Sequence, residues 1–122
     1  MKKERFITWS IVFIVLLIAG GIIYFNNTSF TVKDTPSEEI AKYIGEHSVL
    51  YVQTGCSACK TQEKIFGNNW KYINSVDCIS SQENLQICTN ANITATPTWV
   101  INGQKYVGVQ SIDTLKNLTG YK

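Results

Sequence analysis

Twenty consecutive uncharged residues, Phe6 to Phe25, constrain this chain more than any other feature, because 16 of the 20 are hydrophobic. At about 1.5 Å per residue such a run makes roughly 30 Å of helix, the hydrocarbon thickness of a bilayer. It predicts a transmembrane helix over 6–25, with Trp9 at one interface and Tyr24 and Phe25 at the other. Lys2, Lys3 and Arg5 in the tail 1–5 hold the N-terminus in the cytoplasm. The chain then reads as a single-pass protein of the cell membrane, with everything after Asn26 extracytoplasmic. A cleaved secretory signal is the rival reading. The run, however, is longer than the roughly 7–15 residues of a signal core, and no clear small-x-small site follows it. Both readings export the rest of the chain.

Asn26 to Lys122 is a different object, with 37 hydrophobic residues in 97 and eight Lys against eight acids. The formal +2 of the whole chain therefore sits in the N-terminal tail. With no basic stripe left, a nucleic-acid partner is excluded.

Residues 26–34 are short, polar and aperiodic, a linker to a domain over 35–122. Thr35-Pro36-Ser37-Glu38 supplies an N-cap, a proline at the first helical position and an acid in the first turn. It predicts a helix through Glu46 with Ile40, Tyr43 and Ile44 on one face. Val49 to Gln53 is a short β-branched and aromatic run, hence a strand. After Thr54-Gly55 and Cys56-Ser57-Ala58-Cys59, Lys60 to Phe66 is a helix-forming stretch closed by Gly67. Trp70 to Ile73 then reads as a loop and Ser75 to Cys78 as a second strand. Gln82 to Ala91 reads as a helix with Leu85 and Cys88 together on one face. Thr98 to Ile101 and Gln104 to Val107 form a hairpin across Asn102-Gly103, and Ser111 to Leu118 is a last helix. This order predicts a three-layer α/β domain, a mixed central sheet flanked by helices. In so small a domain Tyr51, Phe66, Trp70, Tyr72 and Trp99 are expected to fill the core.

The chemistry lies in Cys56-Ser57-Ala58-Cys59 at a strand-to-helix junction. The positive end of a helix favours thiolate over thiol, so Cys56 is expected to be the exposed, attacking sulfur. Cys59, one turn further in, is expected to be buried and to resolve the mixed disulfide. A plain structural disulfide is the bland alternative. A zinc site needs a second close pair, which Cys78 and Cys88 do not supply, so neither metal nor cofactor is expected. Thr96-Pro97, just ahead of the hairpin, is a candidate cis bond that sets a backbone edge beside the disulfide for an extended substrate. Ala58, Ala95 and Thr96 around it make a shallow apolar patch suited to unfolded polypeptide, and Ala58, Thr96 and Pro97 are the expected substrate-binding residues.

C-x-x-C on a strand-helix junction, Thr96-Pro97 before a hairpin and a terminal helix together resemble the thioredoxin fold over residues 35–122. The tract from Thr96 to Ser111, ending in Leu118-Thr119-Gly120-Tyr121, is similar to the thioredoxin-like domain associated with prokaryotic homologues of vitamin K epoxide reductase (VKOR). Phe66-Gly67 and the second pair, Cys78 and Cys88, fit that group. The resemblance implies an extracytoplasmic thiol-disulfide oxidoreductase that passes disulfides to exported cysteine-containing proteins. A quinone-linked, VKOR-type membrane partner would reoxidise its Cys56–Cys59 pair. A monomer is expected, and an isomerase is disfavoured without a dimerisation domain. Two positions depart from the superfamily pattern. Ser57-Ala58 brings no imidazole between the cysteines, and Leu50 stands where thioredoxins keep a buried acid. Glu63, Lys64 and His47 are expected to be surface groups.

Cys78 and Cys88 are expected to close a structural disulfide, which by chain entropy stabilises the domain by about 2–3 kcal/mol. Electron relay and free thiols are the alternatives for this pair. Two other functional readings fit the sequence: an extracytoplasmic reductase, as in cytochrome c maturation, and a non-catalytic anchored chaperone or assembly module.

Overall fold

The computed structural model describes residues 35–122, together with Val12 and residues 14–17. Val12 and residues 14–17 are helical, with side chains 53–67% exposed. The rest of the expected transmembrane helix over 6–25, the tail 1–5 and the linker 26–34 lie outside the described residues. Among the described residues no helix is long and apolar enough to cross a membrane. Thr35–Lys122 is a compact unit of its own.

The first helix of this unit, α1 (Glu38–Glu46), is capped by Ser37 rather than Thr35: the Ser37 hydroxyl accepts from the Ile40 N–H at 3.4 Å. Pro36 is buried and its carbonyl accepts from Asn69 Nδ2 at 2.8 Å. That bond holds Pro36 to the neighbouring turn, so the helix starts after it. β1 (Ser48–Val52) leads into α2 (Ser57–Phe66), whose end is set by Gly67 at φ 54°, a left-handed value that favours glycine. The stretch expected as a loop is instead a 3-10 turn, Gly67–Tyr72, followed by β2 (Ser75–Asp77). α3 (Gln82–Asn90), β3 (Thr98–Ile101), β4 (Gln104–Val107) and α4 (Ile112–Thr119) complete the unit. The β3–β4 turn is Asn102-Gly103, both at positive φ (51° and 75°), as a two-residue hairpin of right-handed strands requires.

The sheet runs β2-β1-β3-β4, with β1 parallel to β2 and antiparallel to β3, and β3 antiparallel to β4. It is mixed, as the alternation of elements predicts. Because successive strand residues face opposite sides, β1 and β3 feed two separate cores. Leu50, Trp99 and Ile101 point into the larger one with Ala41, Ile44, Phe66, Ile73 and Leu115. Tyr51 joins Cys78 and Cys88 in the smaller one, edged by Val49, Val76, Ile93 and Val100. α1, α2 and α4 thus cover one face and α3 the other, giving three layers. Phe66 and Trp99 are fully buried, whereas Trp70 and Tyr72 are half-buried at the margin of the larger core. At roughly 1.5–3 kcal/mol per fully buried large side chain, the larger core carries most of the hydrophobic stabilisation. α1 meets the 3-10 turn so closely that a Cβ on Gly45 would lie 1.9 Å from the Tyr72 carbonyl oxygen.

Candidate dithiol site

The loop Gln53-Thr54-Gly55 turns the chain from the central strand β1 into α2, with the Cys56 N–H donating to the Gln53 carbonyl at 3.1 Å. Cys56 is the N-cap of α2, and its Sγ accepts from the Cys59 N–H at 3.2 Å. The same sulfur lies 3.5 Å from the Thr96 carbonyl oxygen, on the segment that precedes β3. Strand-helix junction and pre-hairpin segment therefore meet at one thiol. The Thr96–Pro97 bond is cis. Cys56 is half-buried, while Cys59, one turn into α2, is 7% exposed. Both are unbonded thiols.

Electrostatics separates the two sulfurs. Hydrogen bonding with the Cys59 side chain, joined by the Cys59 N–H, holds the Cys56 thiol below its ordinary pKa. Burial pushes the Cys59 thiol up, and its neighbour Cys56 pushes it further. One sulfur is thus the ready nucleophile and the other a protonated reserve. A cavity of about 210 Å³ opens beside both, lined also by Val52, Glu63, Trp70 and Asp77. This is the arrangement that thiol-disulfide exchange needs: a thiolate that can attack or leave, and a second thiol behind it to resolve the mixed disulfide.

The remaining candidates divide clearly. Ala58 and Thr96 are half-buried beside the pair and Ala95 is exposed, whereas the Pro97 ring is fully buried. Pro97 therefore presents no surface, and the exposed edge here belongs to Ala95 and Thr96. Cys78 and Cys88 are joined by a disulfide with Cα atoms 5.7 Å apart. Leu85, expected to point inward with Cys88, is 47% exposed, because α3 sits at the rim of the smaller core and turns only Cys88 into it. Leu50 is buried in the larger core, so no acid stands at that point of the strand. Glu63 pairs with Lys60 at 3.2 Å on the surface, and Lys64 is exposed. His47 stacks on Tyr43 with ring centroids 4.0 Å apart, and its Nδ1 lies 2.8 Å from the Tyr43 carbonyl oxygen. Among the described residues no cluster of three His, Cys, Asp or Glu side chains forms a metal site.

Two residues that hold the site escape a reading of the sequence. Asp77 Oδ1 accepts the Thr54 N–H at 3.3 Å and the Ile79 N–H at 3.1 Å, while Oδ2 accepts the Thr54 hydroxyl. These bonds, the hydroxyl's first, hold the Asp77 carboxyl below the usual carboxylate range. Gln62 is fully buried, with Oε1 accepting from Trp99 Nε1 at 3.1 Å and from the Gln110 N–H at 2.7 Å. Its Nε2 donates to the Gln110 carbonyl at 3.1 Å. A signal for Gln62 does exist: it shares the inward stripe of α2 with Cys59 and Phe66. No comparable signal marks Asp77, whose partner is 23 residues away.

A mixed sheet in this order, with a C-x-x-C pair opening the helix after its central strand and a pre-hairpin carbonyl facing the first cysteine, defines a thioredoxin-like fold carrying a dithiol exchange site. Among solved structures the chain is similar to the oxidised thioredoxin of Plasmodium falciparum. The two share 22% sequence identity and a TM-score of 0.42, over 71% of this chain and 92% of that one. No protein-family model matches the chain.

Proposed function

We propose that this chain is a membrane-anchored, extracytoplasmic thiol-disulfide oxidoreductase that passes disulfides to exported cysteine-containing proteins. The observation that carries the reading is the placement of Cys56 Sγ between the Cys59 N–H and the Thr96 carbonyl oxygen, at 3.2 and 3.5 Å, with Cys59 buried behind it. In the donor direction a substrate thiolate attacks Cys56 of the oxidised pair, the Cys56–Cys59 bond breaks and Cys59 leaves with the electron pair, then takes a proton. A second substrate thiolate attacks the mixed disulfide and expels Cys56 as thiolate. The substrate gains one disulfide, and the protein keeps two electrons as a dithiol. The lowered Cys56 pKa makes it a good leaving group and stabilises the reduced protein, which favours donation.

Reoxidation is assigned to a VKOR-type, quinone-linked membrane partner, on the likeness of the tract from Thr96 to Ser111. Anchoring through 6–25 is supported by the uncharged apolar run and by the basic residues before it. The test is Cys59→Ala expressed in cells, with Cys56→Ser as control. Loss of the resolving thiol is expected to trap mixed disulfides through Cys56, and mass spectrometry then names both substrates and reoxidising partner. If Cys56 is found always reduced in cells, the donor direction fails and a reductase replaces it. If no Cys56-dependent adduct or exchange is found, the domain is a non-catalytic module.

A further inference from the structure

α3 is held to the sheet chiefly by one half-cystine and by Asn84, whose Nδ2 donates to the Asp77 carbonyl at 3.2 Å. Of its nine residues only Cys88 is buried, while Leu85 and Ile87 stand 47% and 39% exposed. Each end of the Cys78–Cys88 bridge continues into a segment that holds Cys56. Cys78 follows Asp77, whose carboxylate binds the backbone and hydroxyl of Thr54 in the loop leading to Cys56. The Cys78 N–H is itself bonded to the Val52 carbonyl at 3.0 Å. On the other side, the Cys88 carbonyl accepts the Ile93 N–H at 2.9 Å, opening the stretch that ends at Thr96 beside Cys56 Sγ. Both half-cystines also line a cleft of about 260 Å³ that reaches Ile79 and Thr96. The larger core draws no residue from α3 or from 91–96.

Resting on the exchange reading above, we propose that Asp77 and the Cys78–Cys88 bridge are positioning elements for Cys56, and that reduction of the bridge by a dithiol releases α3 and segment 91–96 and slows exchange at Cys56. A thiolate of the dithiol enters the cleft, attacks one sulfur of the bridge and expels the other, which takes a proton. The second thiol of the reductant then displaces the first protein sulfur. Two electrons and two protons pass to Cys78 and Cys88, and the reductant leaves as its own disulfide. The two contacts that flank Cys56 then lose their shared anchor, and the larger core stays folded. The bridge is thus a control on the active thiol, beyond its role as a staple.

The test uses the full chain in detergent micelles. Wild type is incubated with graded dithiothreitol without denaturant, and a Cys78→Ser/Cys88→Ser variant is prepared beside it. Amide hydrogen exchange is read by segment, and Cys56 carbamidomethylation by iodoacetamide is followed against pH by mass spectrometry. Expected are reduction of the bridge in the folded protein, loss of protection confined to 80–96, and a fall of about tenfold in the Cys56 rate near neutral pH with its profile displaced to higher pH. Asp77→Asn, with the bridge intact, is expected to displace the profile in the same direction. An unchanged Cys56 profile in the double variant overturns the proposal, as does loss of protection throughout 35–122, which makes the bridge a staple for the whole fold. A bridge that resists dithiothreitol until the protein unfolds also overturns it. Failure of the exchange reading shows separately, as wild-type protein without Cys56-dependent exchange, and leaves these three readouts decisive.

Discussion

Replacing Gln62 by leucine keeps a side chain of similar size and removes its amide from the joint between α2 and the segment after β4. Three groups lose their partner: Trp99 Nε1, the Gln110 N–H and the Gln110 carbonyl. Trp99 is fully buried, so its orphaned donor costs about 2 kcal/mol, within the range for an unsatisfied buried group. Gln110 is half-buried and partly open to water, which holds its two groups to about 1 kcal/mol each. Leucine recovers about 1 kcal/mol by burying apolar surface where an amide was. The net loss is about 3 kcal/mol, a large share of the roughly 4–13 kcal/mol expected of a domain this size. Urea unfolding of residues 35–122, followed by tryptophan fluorescence, reads it directly. With an m-value of about 1 kcal/mol per molar, the midpoint falls by about 3 M. A double-mutant cycle with Trp99→Phe isolates the indole bond and is expected to show coupling of about 1 kcal/mol or more. A midpoint shift under about 0.5 M, or coupling indistinguishable from zero, would refute the assignment of Gln62 as the partner that satisfies these groups.

Two further outcomes are expected. The urea midpoint of the reduced protein, measured against the oxidised one, rises with pH once pH passes the lowered Cys56 pKa, because there the unfolded chain binds the extra proton. The gain stops growing near the ordinary thiol value of 9.0, above which the raised Cys59 pKa leaves the folded state holding the extra proton and reverses it. A flat difference across this window would refute the division of roles between the sulfurs. Gly45→Ala drives a Cβ to within 1.9 Å of the Tyr72 carbonyl oxygen. The α1 contact must open at a cost of about 1–3 kcal/mol, near the upper end for a backbone clash and more than the roughly 1 kcal/mol that alanine gains in helix propensity. Thermal unfolding with an unchanged or raised midpoint would show that α1 yields freely.

Where local chemistry decides an element, the sequence already contains the answer. Asn102-Gly103 dictates its hairpin, and both strands begin and end at the residues expected. Gly67 ends α2 because a left-handed residue is needed there. The misread positions are those where a distant partner competes with a local preference. Thr35 is a good cap by spacing, but Asn69 takes the Pro36 carbonyl and hands the cap to Ser37. Leu85 has the spacing of a core residue, but α3 turns Cys88 inward and leaves Leu85 at the rim. Cys56, Cys59 and Thr96 were legible as types at a spacing, and the fold supplies what spacing cannot, their meeting at one sulfur. Asp77 was illegible for the same reason, since an acid at a strand end looks solvated until the loop it binds is seen.

One detail of α2 has an electrochemical meaning. Its cap is the reactive sulfur itself. A helix cap contributes about 1 kcal/mol, and a sulfur committed to a disulfide is a poorer acceptor than a thiolate, so this stabilisation belongs chiefly to the reduced state. For a two-electron couple, about 1 kcal/mol corresponds to roughly 20 mV. The start of the helix therefore acts as a small standing bias on the half-cell, pulling electrons toward Cys56 before any substrate arrives, and substitutions at Ser57 or Ala58 that tighten or loosen the first turn would tune that voltage without touching either sulfur.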